Sequence, residues 1–206
     1  MSLISLSPNA SGTGVFTVAS PNSNADRVLT LPDETGTVIT TAGVPTSAMP
    51  AGSVIQVVQA YKTNIFTTTS VSYVEVTGLV ASITPTSTNS KILVQVSLNA
   101  GVSNFTGGVQ LWRNGAPIGL PDTVSGKTNR MWMNVYNGGD DTNSTPNAGM
   151  SFLDSPSSTS SLNYAVRVGC VQGGGTIVIN DQTSQISSQP FSGNSVSQIT
   201  LMEIAG

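Results

Sequence analysis

The chain has 206 residues, of which 7 are Lys or Arg and 10 are Asp or Glu, for a net charge of −3. With no histidine there is no Ser-His-Asp relay and no imidazole metal ligand, and the single cysteine, Cys170, can form neither an internal disulfide nor a thiolate zinc site. Scattered basic residues argue against nucleic acid, while 38 % hydrophobic residues at low net charge argue for a folded core.

The first fifty residues carry strand-like apolar side chains, Phe16, Val28, Leu29, Leu31, Val38 and Ile39 among them, in pieces that Pro21, Pro32, Pro45 and Pro50 interrupt. Too short and dispersed to close a core alone, residues 1–50 are predicted to be an extended docking arm that packs on other chains. The start, Met-Ser-Leu-Ile-Ser-Leu-Ser-Pro, lacks the charged opening and apolar run of a signal peptide, and no stretch is long and apolar enough to span a membrane. Residues 51–206 are predicted to form the head domain. Period-two patterning recurs along it, with strands expected at 53–61, 72–77, 91–99, 108–113, 131–136, 148–154, 163–171, 176–180 and 197–205. Within them Ile92, Val94, Val96 and Leu98 share one face, and so do Tyr164, Val166, Val168 and Cys170. Asn114-Gly115 signals a two-residue hairpin, and Gly173-Gly174-Gly175 reads as a second one. Short strands with frequent turns predict an all-β protein, a β-sandwich or jelly roll.

Among candidate sites, Asp140 and Asp141 form the densest acidic cluster, on a Gly/Asn-rich loop. Calcium there is disfavoured because the EF-hand spacing is missing, so no metal or cofactor is expected. Asp122, Asp154 and Asp181 stand beside turn residues and read as turn formers. Alternation places Trp112 opposite Val109 and Leu111, and Trp132 with Tyr136 opposite Met131 and Met133. A face bearing Trp112, Trp132, Tyr136, Gln110 and Asn134 suits a subunit interface or a sugar-stacking platform, the interface being preferred. Arg113 and Arg167 are expected in hydrogen bonds within or between chains, and Cys170 is expected to pack as a small apolar side chain.

Several stretches together carry a resemblance. Residues 21–40 (Pro-Asn-Ser-Asn-Ala-Asp-Arg-Val-Leu-Thr-Leu-Pro-Asp-Glu-Thr-Gly-Thr-Val-Ile-Thr) resemble a segment found toward the N-terminal side of tail-fibre proteins from marine and freshwater bacteriophages, cyanophages included. Residues 49–58 (Met-Pro-Ala-Gly-Ser-Val-Ile-Gln-Val-Val) look like the start of the C-terminal domain of those fibres. Residues 79–94 (Leu-Val-Ala-Ser-Ile-Thr-Pro-Thr-Ser-Thr-Asn-Ser-Lys-Ile-Leu-Val) and 198–204 (Gln-Ile-Thr-Leu-Met-Glu-Ile) resemble its first and last strands. Residues 101–196 match only in strand rhythm. The resemblance implies a homotrimeric, β-rich virion appendage without a cofactor, while the chain's size and its lack of histidine argue against an enzyme. Its arm would dock on a baseplate, tail or capsid protein, and its head would face a host-surface glycan, with Trp112, Trp132, Tyr136, Asp140 and Asp141 as the receptor-binding candidates. The chain departs from long fibres in lacking a repeated shaft, which keeps a short fibre and a capsid decoration or head fibre both open.

Overall fold

The period-two pattern becomes antiparallel sheet in the computed structural model, which describes residues 49–103, 105–137, 147–171, 174–181 and 194–206, with scattered positions before 49 (11–15, 17, 22, 24–26, 28, 44 and 46). The chain divides into two compact units, Met1–Ile39 and Thr40–Gly206. In the first, Val28 is exposed; Phe16, Leu29, Leu31, Val38 and Ile39 lie outside the described residues.

In the second unit the described residues form eleven strands: β1 (Val54–Lys62), β2 (Phe66–Thr68), β3 (Val74–Ile83), β4 (Lys91–Ser103), β5 (Phe105–Arg113), β6 (Ala116–Ile118), β7 (Met133–Asn137), β8 (Asn147–Asp154), β9 (Leu162–Gly169), β10 (Thr176–Ile179) and β11 (Ser197–Ile204). Six make one sheet, in the order β1-β11-β4-β10-β2 with β8 on the other side of β4. Five make the second, β3-β9-β5-β6 with β7 also on β5. Every pair is antiparallel. The long β4 organises its sheet: β8 pairs with its Ile92–Asn99 half along one edge, while β11 and then β10 share the other edge.

The two inner faces close a single core, as a β-sandwich requires. Ile92, Val94, Val96 and Leu98 of β4 are buried against Tyr164, Val166 and Val168 of β9, with Leu79 of β3, Leu111 of β5 and Leu201 of β11 in the same cluster. At roughly 1.5–3 kcal/mol for each large side chain taken from water, this cluster is the main stabilising term of the fold.

The turn at Asn114-Gly115 joins β5 to β6 with positive φ at both residues, 48° and 81°, as expected for a tight hairpin. Gly173-Gly174-Gly175 does not make a hairpin. The strands on either side, β9 and β10, belong to different sheets, and Gly173 itself lies outside the described residues. The expected 72–77 strand runs on to Ile83 through Gly78, whose φ of +91° permits the register shift between Glu75 and Val80.

Candidate functional site

The outer side of the five-stranded sheet holds most of the residues singled out above. Outward positions on β5 are Gly108, Gln110 and Trp112, and their neighbours on β9 are Gly169, Arg167 and Ala165. The glycine pair leaves no side chains there, so the Ser72–Tyr73 backbone lies close over Gly169 and the Tyr73 ring covers Gly108. The Tyr73 hydroxyl is buried without a hydrogen-bond partner among the described residues, and burial pushes its pKa up.

The Arg167 guanidinium sits over the Trp112 ring, 4.0 Å from its centroid, and reaches Glu75 of β3 at 3.8 Å. The Trp112 Nε1–H donates to Gln110 Oε1 at 2.9 Å, and the Gln110 amide in turn donates to the Arg130 carbonyl. The chain after β6 therefore folds back over β5 and buries Gln110. Trp112 is an outward aromatic, but one ring face is occupied by a guanidinium of its own chain.

Trp132 stands elsewhere. The alternation expected over 131–136 holds from Met133 onward, with Met133 and Val135 turned to the core and Asn134 and Tyr136 outward. Trp132 precedes the strand, packs against the core, meets Phe152 edge to face at 5.2 Å and donates its Nε1–H to the Ile118 carbonyl at 3.0 Å. Gly119, at φ +61°, leaves room for that indole. Trp132 and Tyr136 thus share no face, whereas Tyr136 is 61 % exposed. Asp140 and Asp141 lie outside the described residues.

Asp154 is not a turn former. At the end of β8 it is buried, and its Oδ2 accepts from Arg113 Nη1 at 2.5 Å and from the Tyr164 hydroxyl at 2.6 Å. That bridge ties the six-stranded sheet to the five-stranded one. Burial and the neighbouring carboxylate both push the Tyr164 phenol pKa up. Arg113 and Arg167 both find partners within the chain. Cys170 packs as a small buried side chain whose thiol, pointed at the Gly175 carbonyl at 3.2 Å, is pushed up in pKa by burial. A thiol so held is a poor nucleophile.

Two buried charged residues escaped sequence reasoning. Glu203 of β11 is fully buried, and its carboxylate accepts from Thr86 N at 2.6 Å, Thr86 Oγ1 at 2.7 Å and Gln56 Nε2. Burial alone would raise its pKa; the Gln56 and Thr86 donors outweigh that and hold it below the ordinary glutamate value. Lys62, at the end of β1, is also buried, donating to Asn64 Oδ1 at 2.7 Å beneath the Phe66 ring, and burial lowers its pKa.

Among the described residues, no group of three or more His, Cys, Asp or Glu stands together to hold a metal, and no helix is long and apolar enough to cross a membrane. The chain matches no protein-family model and no curated protein sequence.

Proposed function

We propose that the chain is a structural protein of a bacteriophage virion, a short trimeric tail fibre without catalytic activity or cofactor. Residues 1–50 dock on another virion protein, with Phe16, Val28, Leu29, Leu31, Val38 and Ile39 as the docking contacts. The head faces outward and contributes to adsorption on host-surface glycans. The strand order β1-β11-β4-β8 over β3-β9-β5-β7 reads as a jelly roll.

One observation carries this reading. The stretches that resemble the tail-fibre C-terminal domain are far apart in sequence, yet they form one structural unit. Residues 49–58 supply the first half of β1, residues 79–94 supply the end of β3 and the start of β4, and residues 198–204 supply most of β11, and β1, β11 and β4 are consecutive in the sheet. One residue from each stretch meets at a single buried carboxylate: Gln56 and Thr86 both donate to Glu203. That convergence is what favours reading the three stretches as one unit.

Gold labelling of this chain on intact virions tests the assignment. Label at the tail tip or baseplate supports the fibre, label over the capsid replaces it with a decoration protein, and its absence from virions overturns both. A chain beginning at Gly52 is expected to fold and trimerise but not to join virions; normal incorporation would remove the docking role of residues 1–50. Asp140→Ala with Asp141→Ala is expected to leave the fold intact and weaken adsorption. Unchanged adsorption would take those residues out of the receptor site.

A further inference from the structure

Strand β1 has a single neighbour in its sheet, β11, yet its attachment begins before the strand does. The Gly52 N–H donates to the Ala205 carbonyl and the Ala205 N–H to the Ser53 carbonyl, both at 2.8 Å. From Gln56 to Lys62 every residue then faces a partner on β11, with one irregularity between Val54 and Gln56. Side chains add rungs to this ladder. Gln56 Nε2 donates to the Glu203 carboxylate, and Gln59 Nε2 donates to Thr200 Oγ1 at 3.0 Å and to Gln198 Oε1 at 3.2 Å. At the far end the Asn180 amide donates to the Lys62 carbonyl at 2.9 Å. Register also fixes the direction of the ladder within the sandwich. Val54 pairs with Ile204 and Ile204 with Lys91, so the chain enters the head at the end where β4 starts. Asn147 pairs with Asn99, toward the other end of β4, and Asn137 pairs with Phe105, two residues after β4 stops. The residues that bracket 138–146 therefore stand at the end opposite the point of entry. At about 3.3 Å per residue, β1 runs about 27 Å along that direction.

We infer that the β1–β11 ladder is a shear clamp that carries tension between the N-terminal residues and the head. The inference rests on the virion reading above, in which the particle holds residues 1–50 and the host holds the head. Tension between those two anchors runs along β1 rather than across it. Antiparallel hydrogen bonds lie perpendicular to their strands, so a pull along β1 loads all of them together, whereas a pull across it breaks them in turn from the loaded end. Resistance to force is governed by the rate of unfolding, and that rate falls when many bonds must break at once. Pulled sideways, an edge strand with one neighbour gives way easily. Pulled lengthwise, with Gly52 and Ser53 tied to Ala205 and Gln56 tied to Glu203 at the loaded end, it holds. The buried Glu203 carboxylate thus stands where the load enters the sheet.

Single-molecule force spectroscopy on the full chain tests the clamp, with labelled chains diluted into an excess of unlabelled ones so that any oligomer carries one. Cys170 is buried and does not compete for attachment. Handles on Ala51→Cys and Val196→Cys pull β1 and β11 from opposite ends and shear the ladder. Handles on Ala51→Cys and on a cysteine appended after Gly206 pull both strands from the same end and unzip it. A third pair, Ala51→Cys with Asn147→Cys, reproduces the two proposed anchors. Ala51, Val196 and Asn147 are all exposed, so the substitutions leave the core intact. At one loading rate the first and third pairs are expected to rupture at forces at least about threefold above the second, because their bonds share the load. Equal forces in the first two pairs would overturn the clamp and leave the virion reading in place. A third pair as weak as the second would also overturn it, since tension between the anchors would then not run along β1. Absence of the chain from virions in the labelling experiment would overturn the virion reading, and the clamp's use with it, whatever the forces.

Discussion

Replacing Glu203 by Gln tests whether one buried carboxylate holds the β1-β11-β4 unit together. Its Oε1 takes both Thr86 donors and its Oε2 takes the Gln56 amide. A glutamine can keep the Thr86 bonds through its carbonyl, but its amide then faces the Gln56 amide. Gln56 cannot simply flip, because its Nε2–H also donates to the Thr84 carbonyl at 2.8 Å. Hydrogen bonds to a charged group are worth about 1.5–3 kcal/mol against about 0.5–1.5 for neutral ones, and a buried unmatched pair costs about 1–3 more, so Glu203→Gln should cost about 3–5 kcal/mol at pH 7. The pH dependence follows from the lowered pKa of the folded state. An unfolded glutamate titrates near about 4.3, so the carboxylate's contribution is fully present above about pH 5 and is lost as pH falls through the folded value. Glu203→Gln has no such term. Denaturant unfolding of both proteins between neutral pH and about pH 3 should therefore show the gap narrowing as pH falls. A cost under about 1 kcal/mol at pH 7, or a gap that stays constant into acid, would refute the reasoning.

The bridge between the sheets gives a second outcome. Asp154→Ala should cost about 3–5 kcal/mol by stranding Arg113 and the Tyr164 hydroxyl, and Tyr164→Phe, costing about 1–2 kcal/mol alone, should cost almost nothing in that background; denaturant unfolding of all four proteins gives the cycle. Lys62→Met should raise stability by about 1 kcal/mol at pH 7, since the buried ammonium is met by an amide oxygen and a ring face. Because the folded pKa of Lys62 is lowered, wild-type stability rises as pH climbs toward the unfolded value near about 10.4, and unfolding near pH 10 should show the variant's advantage shrinking. Gly108→Ala should cost about 1–3 kcal/mol and loosen Tyr73, read in the near-UV circular dichroism, because the new methyl would collide with the Tyr73 ring.

The legibility of this fold in its sequence follows the range of the interactions. Strand β4 is plain because Ile92, Val94, Val96 and Leu98 alternate without interruption and all are buried, and the Asn114-Gly115 turn is plain because its chemistry is complete in two residues. Short strands are hidden: β2 and β6 have three residues each, too few to show a period, and exist because β10 and β5 offer them an edge. Trp132 misleads for a related reason. Its spacing from Tyr136 mimics alternation, but the strand starts one residue later and the indole turns to Phe152. Glu203 and Asp154 carry no local signal, since Gln56 lies 147 residues from Glu203 and Arg113 lies 41 from Asp154. Their roles are set by partners that only the folded sheets bring near.

The two outer faces of the sandwich differ in what they leave exposed. Aromatic content alone would assign association to the five-stranded side, where Trp112 and Tyr136 are found. There, however, the polar side chains are engaged by their own chain: Arg167 with Trp112 and Glu75, Gln110 with Arg130. The six-stranded side is held by its ladder and by amide contacts such as Gln59 with Gln198 and Thr200, and these leave Val57, Tyr61 and Leu153 bare. Exposed apolar area is what association removes from water, so it ranks the faces better than residue type does.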